Sequence, residues 1–203
     1  MRGIFPPGRR QGSRDTPEEA RARAEHAVLN GVFTIALGKD GRCFEERMAW
    51  LKRLAKEHCK FISNNGTSTD LFLEAPVVFD GATTAPTSTW HARIEGGKDT
   101  LYAGDTFHVQ LVFDAKYPFD APQVIFVGNV PMHEHVYSNG HICMSLLYGE
   151  WSPSLTAHSL CLALQSMLNS ATAKKVPADN ASYVRRAPKD PRRSNWVFHD
   201  DTC

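Results

Sequence analysis

Cys143 lies in a stretch that is rich in proline, glycine, asparagine, serine and histidine and reads PMHEHVYSNGHICMSLLYGEWSPS. This composition is incompatible with a regular helix or strand, so we predict a long ordered loop, and such loops usually carry function. A thiol in that setting is a candidate nucleophile or acyl carrier, because the thiolate is the reactive form of cysteine. The alternative is a packed apolar side chain, which is favoured when Cys143 is considered apart from its neighbours.

The other four cysteines show no spacing typical of a disulfide framework or a zinc site. The total of five is odd, the residues are widely scattered and no CxxC pair occurs, which favours a reducing compartment. We expect Cys59 and Cys161 in the core, because both fall on apolar faces of predicted helices. Cys203 is predicted to be an exposed terminal thiol.

Length and charge limit the classes of protein to which this chain can belong. Its 203 residues suffice for one domain of ordinary size plus an extension. Lysine and arginine total 23 against 22 for aspartate and glutamate, so we expect neither nucleic acid nor a membrane as a main partner. No apolar run reaches the roughly 18 residues that span a bilayer, and no secretory signal is recognisable, so the predicted location is the cytoplasm, the nucleus or both.

Helices are predicted from capping residues and helical spacing. Residues 1–41 are interpreted as an N-terminal extension that is partly disordered and carries at most a short helix from Thr16. The main domain, residues 42–203, opens with a helix, and its most apolar helix starts at Ser154 or Thr156. The apolar positions of these two helices are Phe44, Met48, Leu51, Ala55, Ile62, Leu160, Leu164, Met167, Leu168 and Ala171.

Alternating apolar residues predict a sheet of roughly four short antiparallel strands. Residues 90–94 and 107–113 alternate on either side of a turn at Gly96-Gly97. The segment QVIFV is continuously apolar after its first residue and predicts a buried strand, and LEAPVVFD near residue 76 is a weaker candidate. Strands that follow one helix and precede another indicate an α+β fold.

The C-terminal segment is predicted to be an irregular tail that is mobile from about residue 174. Pro177, Pro188 and Pro191 interrupt a basic stretch, so no long helix is expected there. Two side chains near the end, Trp196 and His199, either contact a substrate or pack back on the domain.

The order of helix, antiparallel strands, cysteine-containing loop and apolar helix resembles the ubiquitin-conjugating (UBC) family. Three motifs carry the resemblance in order and spacing: YPFDAPQV (117–124), YSNGHICMSLL (137–147) and WSPSL (151–155). The W type of this family is most similar, because it shares HVYSNGHIC, a DN..YV segment beginning at Asp179 and the ending HDDTC. The resemblance covers roughly residues 42–203 and implies the UBC fold: an N-terminal helix, the sheet, an active-site loop, a central helix and an irregular tail.

This resemblance implies that Cys143 accepts ubiquitin from the activating enzyme as a thioester and passes it to an amine of another protein. A thioester exchanges readily with another thiol and is attacked by amines more easily than an oxygen ester, so no metal or small cofactor is needed. One alternative is a catalytically silent, ubiquitin-binding adaptor of the same fold, which the intact SNGHIC segment disfavours. Transfer to lysine, or of another ubiquitin-like protein, stays open.

Most family members have His-Pro-Asn upstream of the cysteine, whereas this chain reads His133-Glu134-His135. The W type also places histidine in the asparagine slot, but Glu134 departs from both patterns. Our hypothesis is that His135 donates an N–H to the oxyanion or takes a proton from the amine. The alternative is that both histidines only brace the loop. Further support residues implied by the shared motifs are Asn139, Asp179 and Asn180. For the last two, orientation of the acceptor amine and loop capping are both open.

The acceptor amine can be considered from its basicity. An α-amino group with a pKa near 7.8 is about a quarter deprotonated at pH 7.4, whereas lysine is only about 0.1% free amine. A site with weak base assistance therefore favours N-termini, and the W type is associated with substrates that have flexible N-termini.

Partner surfaces are implied in the same way. RING-type or U-box ubiquitin ligases are expected at Phe119, Trp151, Pro153 and Ser154, unless the two aromatic residues are buried supports. The activating enzyme is expected at the basic outer face of the first helix of the main domain, a face that is otherwise simply solvated. Its residues are Lys52, Arg53 and Lys56.

Overall fold

Apolar alternation in the sequence produces a four-stranded antiparallel sheet, in which neighbouring strands follow each other in chain order, in the computed structural model of the chain. The structure describes residues 41–64, 71–80 and 87–196, with side chains for residues 49–61 and 87–196. The elements are α1 (Gly41–Asn64), β1 (Leu71–Asp80), β2 (Thr87–Glu95), β3 (Thr106–Phe113), β4 (Gln123–Val127), α2 (Ala157–Asn169) and α3 (Asn180–Val184), with 3-10 turns at Ser145–Leu147 and Pro191–Arg193. The predicted α+β class is confirmed.

The two central strands have one buried and one partly exposed face. Buried and partly exposed residues alternate along β2 and β3, and their ladder pairs Trp90 with Leu111 and Ala92 with Val109. QVIFV also alternates: Val124 and Phe126 are buried, but Ile125 is partly exposed. The prediction that this strand is buried throughout is therefore wrong, because β4, like β2 and β3, is covered on one face only.

The weaker strand candidate, LEAPVVFD, lies within β1 and pairs with β2. The register shifts between Glu74 and Val78. Pro76 lies in that interval and has no N–H to offer the ladder, so the irregularity falls where the sequence cannot complete a hydrogen bond. The strand still forms, because residues on both sides of the irregularity keep antiparallel partners in β2.

Helices α1 and α2 both contribute to the core. In α1 the buried residues include Trp50, Leu51, Leu54 and Phe61, whereas Ala55 is only partly buried. The predicted stripe was thus correct at Leu51 but missed its larger neighbours, and Phe44, Met48 and Ile62 have side chains outside the described residues. In α2 the predicted Leu160, Leu164 and Leu168 are buried, together with Cys161.

A buried carboxylate, Glu57, joins α1 to the start of α2. One oxygen, Oε1, accepts hydrogen bonds from the Tyr117 hydroxyl (2.5 Å) and from Arg53, while Oε2 accepts one from the Ala157 backbone N–H (2.8 Å). Arg53 also donates to the Leu155 carbonyl oxygen at 2.7 Å. The negative charge at the positive end of α2 stabilises the helix. Thr156 forms the N-cap, in agreement with the second of the two predicted starts.

The segment after α2 contains only the short helix α3 and one 3-10 turn among residues 170–196, as the predicted irregular tail requires. Trp196 packs back on the domain, with its ring stacked 4.9 Å from that of Tyr148. The mobility expected from about residue 174 stays a prediction, and His199, Cys203 and residues 1–40 lie outside the described part. Among the residues that the structure describes, no helix is long and apolar enough to cross a membrane.

Candidate active site

A tight turn at residues 137–140 lies within the cysteine-containing loop, three residues before Cys143. The Gly140 N–H donates to the Tyr137 carbonyl oxygen at 2.8 Å, and the Tyr137 N–H donates to His141 at 2.9 Å. Gly140 has a φ of +86°, and a Cβ there would lie 2.1 Å from the carbonyl oxygen of Phe126. Only glycine suits this position. The Phe126 N–H donates to the Gly140 carbonyl oxygen at 2.9 Å, so the turn is attached directly to β4.

Cys143 sits just after this turn and is partly exposed. Its backbone N–H donates to the His135 carbonyl oxygen at 2.8 Å. Val136 and Ile142 form an isolated antiparallel bridge, and both side chains are fully buried. The loop therefore anchors two apolar residues in the core and brings the thiol to the surface beside His135.

The histidine pair predicted to support the cysteine is adjacent to it, but the two rings differ in their surroundings. His133 is buried, and its Nδ1 accepts the His135 backbone N–H at 3.0 Å while Nε2 donates to the Met167 carbonyl oxygen at 3.1 Å. These partners require the neutral tautomer with hydrogen on Nε2. Burial, and then the neighbouring His135, lower the pKa of His133, which favours the same state. His133 thus braces the loop, whereas the His135 ring is partly exposed.

Glu134, the unusual residue between the histidines, forms an exposed ion pair with Lys175 at 2.8 Å. The hydrogen bond from Lys175 is the main reason that the pKa of Glu134 is lowered. The residue therefore connects the loop to the segment after α2 rather than pointing into the core.

Asp179 and Asn180 also contact the loop, as predicted from the DN..YV segment. The Tyr137 hydroxyl donates to Asp179 at 3.0 Å. The Asn180 side chain accepts the Ser138 backbone N–H at 2.9 Å and donates to the Ser138 hydroxyl at 3.1 Å. Asn139 binds within the turn itself, because its Oδ1 accepts the His141 N–H at 3.2 Å. These contacts match the loop-capping alternative for Asn180.

An aromatic cluster beside Cys143 was not predicted from the sequence. The Tyr137 and Tyr183 rings have centroids 3.9 Å apart, and Trp196 lies 5.3 Å from Tyr183 and 4.9 Å from Tyr148. Burial raises the pKa of all three tyrosines, and the negative charge of a Cys143 thiolate raises each of them further. The phenols consequently remain protonated donors near the sulfur. Tyr137 and Tyr183 stood in recognisable motifs, but nothing in the spacing indicated that they meet.

A hydrogen-bonded chain extends from this cluster. His141 Nδ1 lies 2.9 Å from the Tyr183 hydroxyl, which lies 2.8 Å from the Ser194 hydroxyl. Burial lowers the pKa of His141, so this ring is held neutral at physiological pH. The chain attaches the residues around α3 to the loop two positions before the cysteine.

The predicted ligase-binding residues differ in exposure. The Phe119 side chain is 79% exposed, and Pro153 and Ser154 are also exposed. Trp151 is partly buried: its indole N–H donates to the Pro118 carbonyl oxygen at 2.8 Å and its ring lies 5.9 Å from that of Tyr117. Phe119 is therefore not a buried support, whereas Trp151 does support the loop.

The basic residues of α1 also divide into two groups. Lys52 and Lys56 are exposed, whereas Arg53 is partly buried and bonded to Glu57 and Leu155. Among the described residues, no group of three or more histidine, cysteine, aspartate or glutamate side chains converges as a metal site would require.

The chain is similar in sequence to a known family of proteins. A sequence model described as "Ubiquitin-conjugating enzyme" matches residues 67–195. A ubiquitin-conjugating enzyme E2 W of Caenorhabditis elegans is 45% identical over 158 residues, which are 77% of this chain and 93% of that protein. A probable ubiquitin-conjugating enzyme E2 W-A of Danio rerio is 48% identical over 115 residues, covering 56% of this chain and 76% of that protein.

A solved structure agrees with these relatives. The ubiquitin-conjugating enzyme E2 UbcA1 of Agrocybe aegerita matches with a TM-score of 0.61 and 42% identity, covering 69% of this chain and 96% of that chain. Both the fold and the sequence resemblance are therefore confirmed. The chain belongs to the ubiquitin-conjugating enzyme family, as a member of its E2 W type: a transferase that works with ubiquitin through a thioester intermediate.

Proposed function

We propose that Cys143 carries the ubiquitin thioester and that the acceptor is the α-amino group at the N-terminus of a substrate protein. The observation that carries the first part is the position of Cys143: partly exposed and held by a backbone hydrogen bond to His135 of 2.8 Å. The other cysteines whose side chains are described, Cys59 and Cys161, are buried. Burial raises the pKa of Cys161 to about 12, which leaves it inert as a nucleophile.

Two acyl transfers follow from this assignment. The Cys143 thiolate attacks the ubiquitin thioester on the activating enzyme, and the cysteine thiolate of the activating enzyme leaves. This exchange is close to energy-neutral. A substrate amine then attacks the new thioester, a tetrahedral oxyanion forms, the Cys143 thiolate leaves and the amine loses a proton. The product is an amide, so the second step is downhill.

His135 is the side chain we assign to the second step. His133 cannot share this role easily, because both its ring nitrogens are bonded to backbone groups. The partly exposed His135 ring is placed next to Cys143 by the backbone bond between the two residues. It would donate a ring N–H to the oxyanion or accept the proton of the amine.

The choice of an α-amine is supported by how little general base the surroundings of Cys143 offer beyond His135. His133 is bonded at both nitrogens, Asp179 accepts from Tyr137, and Glu134 is paired with Lys175. Transfer therefore depends on the fraction of acceptor that is already free amine, which at pH 7.4 is about a quarter for an α-amino group and about 0.1% for lysine.

Charging of the thiol is tested by incubation with activating enzyme, ubiquitin and ATP, followed by non-reducing electrophoresis. The wild type should give an adduct that thiol reductant removes, Cys143→Ala should give none, and Cys143→Ser should give an oxygen ester that survives reductant. Cys161→Ala is the matched control and should charge normally. A reductant-sensitive adduct on the Cys143→Ala protein would place the carrier thiol elsewhere.

The acceptor is tested by single-turnover discharge of the purified thioester to lysine-free peptides. A free N-terminus should accept ubiquitin at a rate that rises up to about pH 9 and then levels off, as the α-amine loses its proton. An acetylated N-terminus should not react. Discharge to an acetylated, lysine-containing peptide at the same rate as to the free N-terminus would refute α-amine preference.

The role of His135 is tested in the same discharge assay. His135→Asn and His135→Ala should both slow discharge but not charging, and unchanged discharge rates in both variants would leave His135 only a bracing role.

The proposed partners follow the exposed surfaces. RING-type or U-box ligases would dock at Phe119, Pro153 and Ser154, with Trp151 holding the loop, and the activating enzyme at Lys52 and Lys56. Arg53, also predicted there, would act indirectly because its guanidinium is bonded to Glu57 and Leu155. Substrates would have flexible N-termini, and the site of action would be the cytoplasm or nucleus.

A further inference from the structure

A basic segment that the proposed chemistry does not use borders the Cys143 site. Residues 185–193 read RRAPKDPRR, in which five of nine residues are arginine or lysine and one is aspartate. The whole chain has a formal net charge of only +1, so this local excess of positive charge is not a property of the whole surface. We call residues 185–193 the basic rim.

The contacts of the flanking residues place the basic rim beside Cys143. Just before it, Tyr183 packs on Tyr137 and is bonded to His141. Within it, Asp190 is close enough to influence the pKa values of both His141 and Tyr148. Just after it, Trp196 stacks on Tyr148. A chain approaching the thioester would therefore pass next to these cations.

The basic rim contains one cation with a structural role and others directed to solvent. Arg192 binds Asp190 and Asp114, with N–O distances of 3.0 and 2.8 Å, and also donates to the Ala121 carbonyl oxygen. By contrast, Arg185, Arg186 and Lys189 are exposed, and within the described residues none of them forms an ion pair. Arg192 attaches the segment to the sheet, and the exposed cations are available to a partner.

We propose that Arg185 and Arg186 select substrates that carry carboxylates a few residues after the acceptor amine. This inference rests on the proposed α-amine transfer. The backbone from Asp179, beside Tyr137, to Arg185 advances about 9 Å at helical rise, which equals about three residues of an extended peptide. Acidic side chains at positions 3 to 5 of a substrate would thus lie opposite the two arginines while the N-terminus reaches the thioester.

The physical effect is a gain in substrate binding rather than a change in chemistry. Exposed ion pairs each contribute modestly, and two together should raise discharge by about threefold to tenfold at low salt. The preference should fade in high salt, because the Debye length falls from about 10 Å at 0.1 M to about 3 Å at 1 M. Charging by the activating enzyme should not depend on the two arginines.

The test uses the full chain, charged with ubiquitin and purified, in single-turnover discharge to two lysine-free peptides. Both have a free N-terminus, and they differ only in glutamate or glutamine at positions 3 to 5. The wild type should prefer the acidic peptide, and Arg185→Gln/Arg186→Gln should discharge both peptides at the rate of the neutral one. Lys60→Gln/Lys98→Gln, which removes two exposed cations elsewhere, is the matched control and should keep the preference.

The outcomes separate this inference from the function on which it rests. Equal discharge to both peptides by the wild type overturns the acidic preference but leaves α-amine transfer intact, whereas no discharge to either peptide overturns both. A preference that survives in the double arginine variant overturns the assignment to these residues. Equal inhibition of both peptides by a short single-stranded oligonucleotide at 150 mM salt, lost in the arginine variant, would assign the rim to nucleic acid instead.

Discussion

At the residue scale, the site depends on side chains that use two polar atoms to bind two different segments of the chain. His133 is the clearest example: one ring nitrogen fixes the backbone of His135 and the other fixes the last turn of α2 through Met167. Protonation of Nδ1 would replace an acceptor by a donor facing the His135 N–H, so the loop geometry requires a neutral ring. In the proposed mechanism, the neighbouring His135 would then act on the reacting groups from a loop that His133 holds in place.

This arrangement predicts an acid-sensitive stability. Because the pKa of His133 is lowered in the folded state, the unfolded chain binds more protons below its ordinary pKa of about 6.5, and stability falls as the pH drops below that value. His133→Gln should reduce the loss of unfolding free energy between pH 7.5 and 5.5 by up to about 1 kcal/mol. Urea denaturation at both pH values measures it. An unchanged pH dependence in the variant would contradict the assignment.

At the element scale, α2 is positioned by a carboxylate from another helix. Thr156 and Ser159 form a capping box, so local sequence accounts for the start of the helix. Glu57 adds a charge from α1 that binds the Ala157 N–H and the Tyr117 hydroxyl. The same contact therefore fixes α1, α2 and the segment leading to Phe119 relative to each other.

Glu57→Gln should destabilise the protein by about 3 kcal/mol, because the amide leaves Arg53 without its charged partner and turns donors toward donors. The midpoint of urea unfolding measures this loss. Glu95→Gln is the matched control: its carboxylate also pairs with an arginine, Arg93, but both side chains are about one-third exposed. Its loss should stay below about 1 kcal/mol. Equal effects of the two substitutions would show that Glu57 is not the central contact.

At the scale of the whole molecule, the surfaces assigned to different partners are separate. Phe119 follows Pro118, whose carbonyl oxygen accepts the Trp151 indole N–H. The basic rim and the aromatic cluster contact the cysteine-containing loop from the C-terminal part of the chain. The basic face of α1 is a third region, connected to the others through Arg53, Glu57 and Leu155. Substitutions on one surface should therefore affect one step of the reaction and leave the others unchanged.

Phe119 and Trp151 make this separation testable. Phe119→Ala should leave unfolding free energy within about 0.5 kcal/mol of the wild type and charging unchanged, but reduce ligase-stimulated discharge about tenfold or more. Trp151→Ala should instead lose about 2 kcal/mol of stability, because the indole is partly buried and hydrogen-bonded. Leu101→Ala, which removes another exposed apolar side chain, is the control. Full ligase stimulation of the Phe119→Ala protein would show that Phe119 is not part of the ligase interface.

The candidate site could be predicted in part because some of its features are local. The turn before Cys143 follows from SNG, since Gly140 needs a positive φ and leaves no room for a Cβ beside Phe126. The DN..YV segment pointed to Asp179 and Asn180, and both contact the loop. The aromatic cluster could not be predicted, because Tyr137 and Tyr183 are 46 positions apart and periodicity carries no information across that separation.

The amino-acid sequence by itself determined the four strands, the start of α2, the loop and its cysteine, because alternation, capping and turn chemistry act between residues close along the chain. Only the tertiary structure decided that Glu57 is buried, that Arg53 is partly buried and bonded to Leu155, and that Trp196 reaches the loop. Each of these depends on a partner from a distant element. Such contacts form only when the core brings the elements together, so charge and hydropathy along the chain do not reveal them.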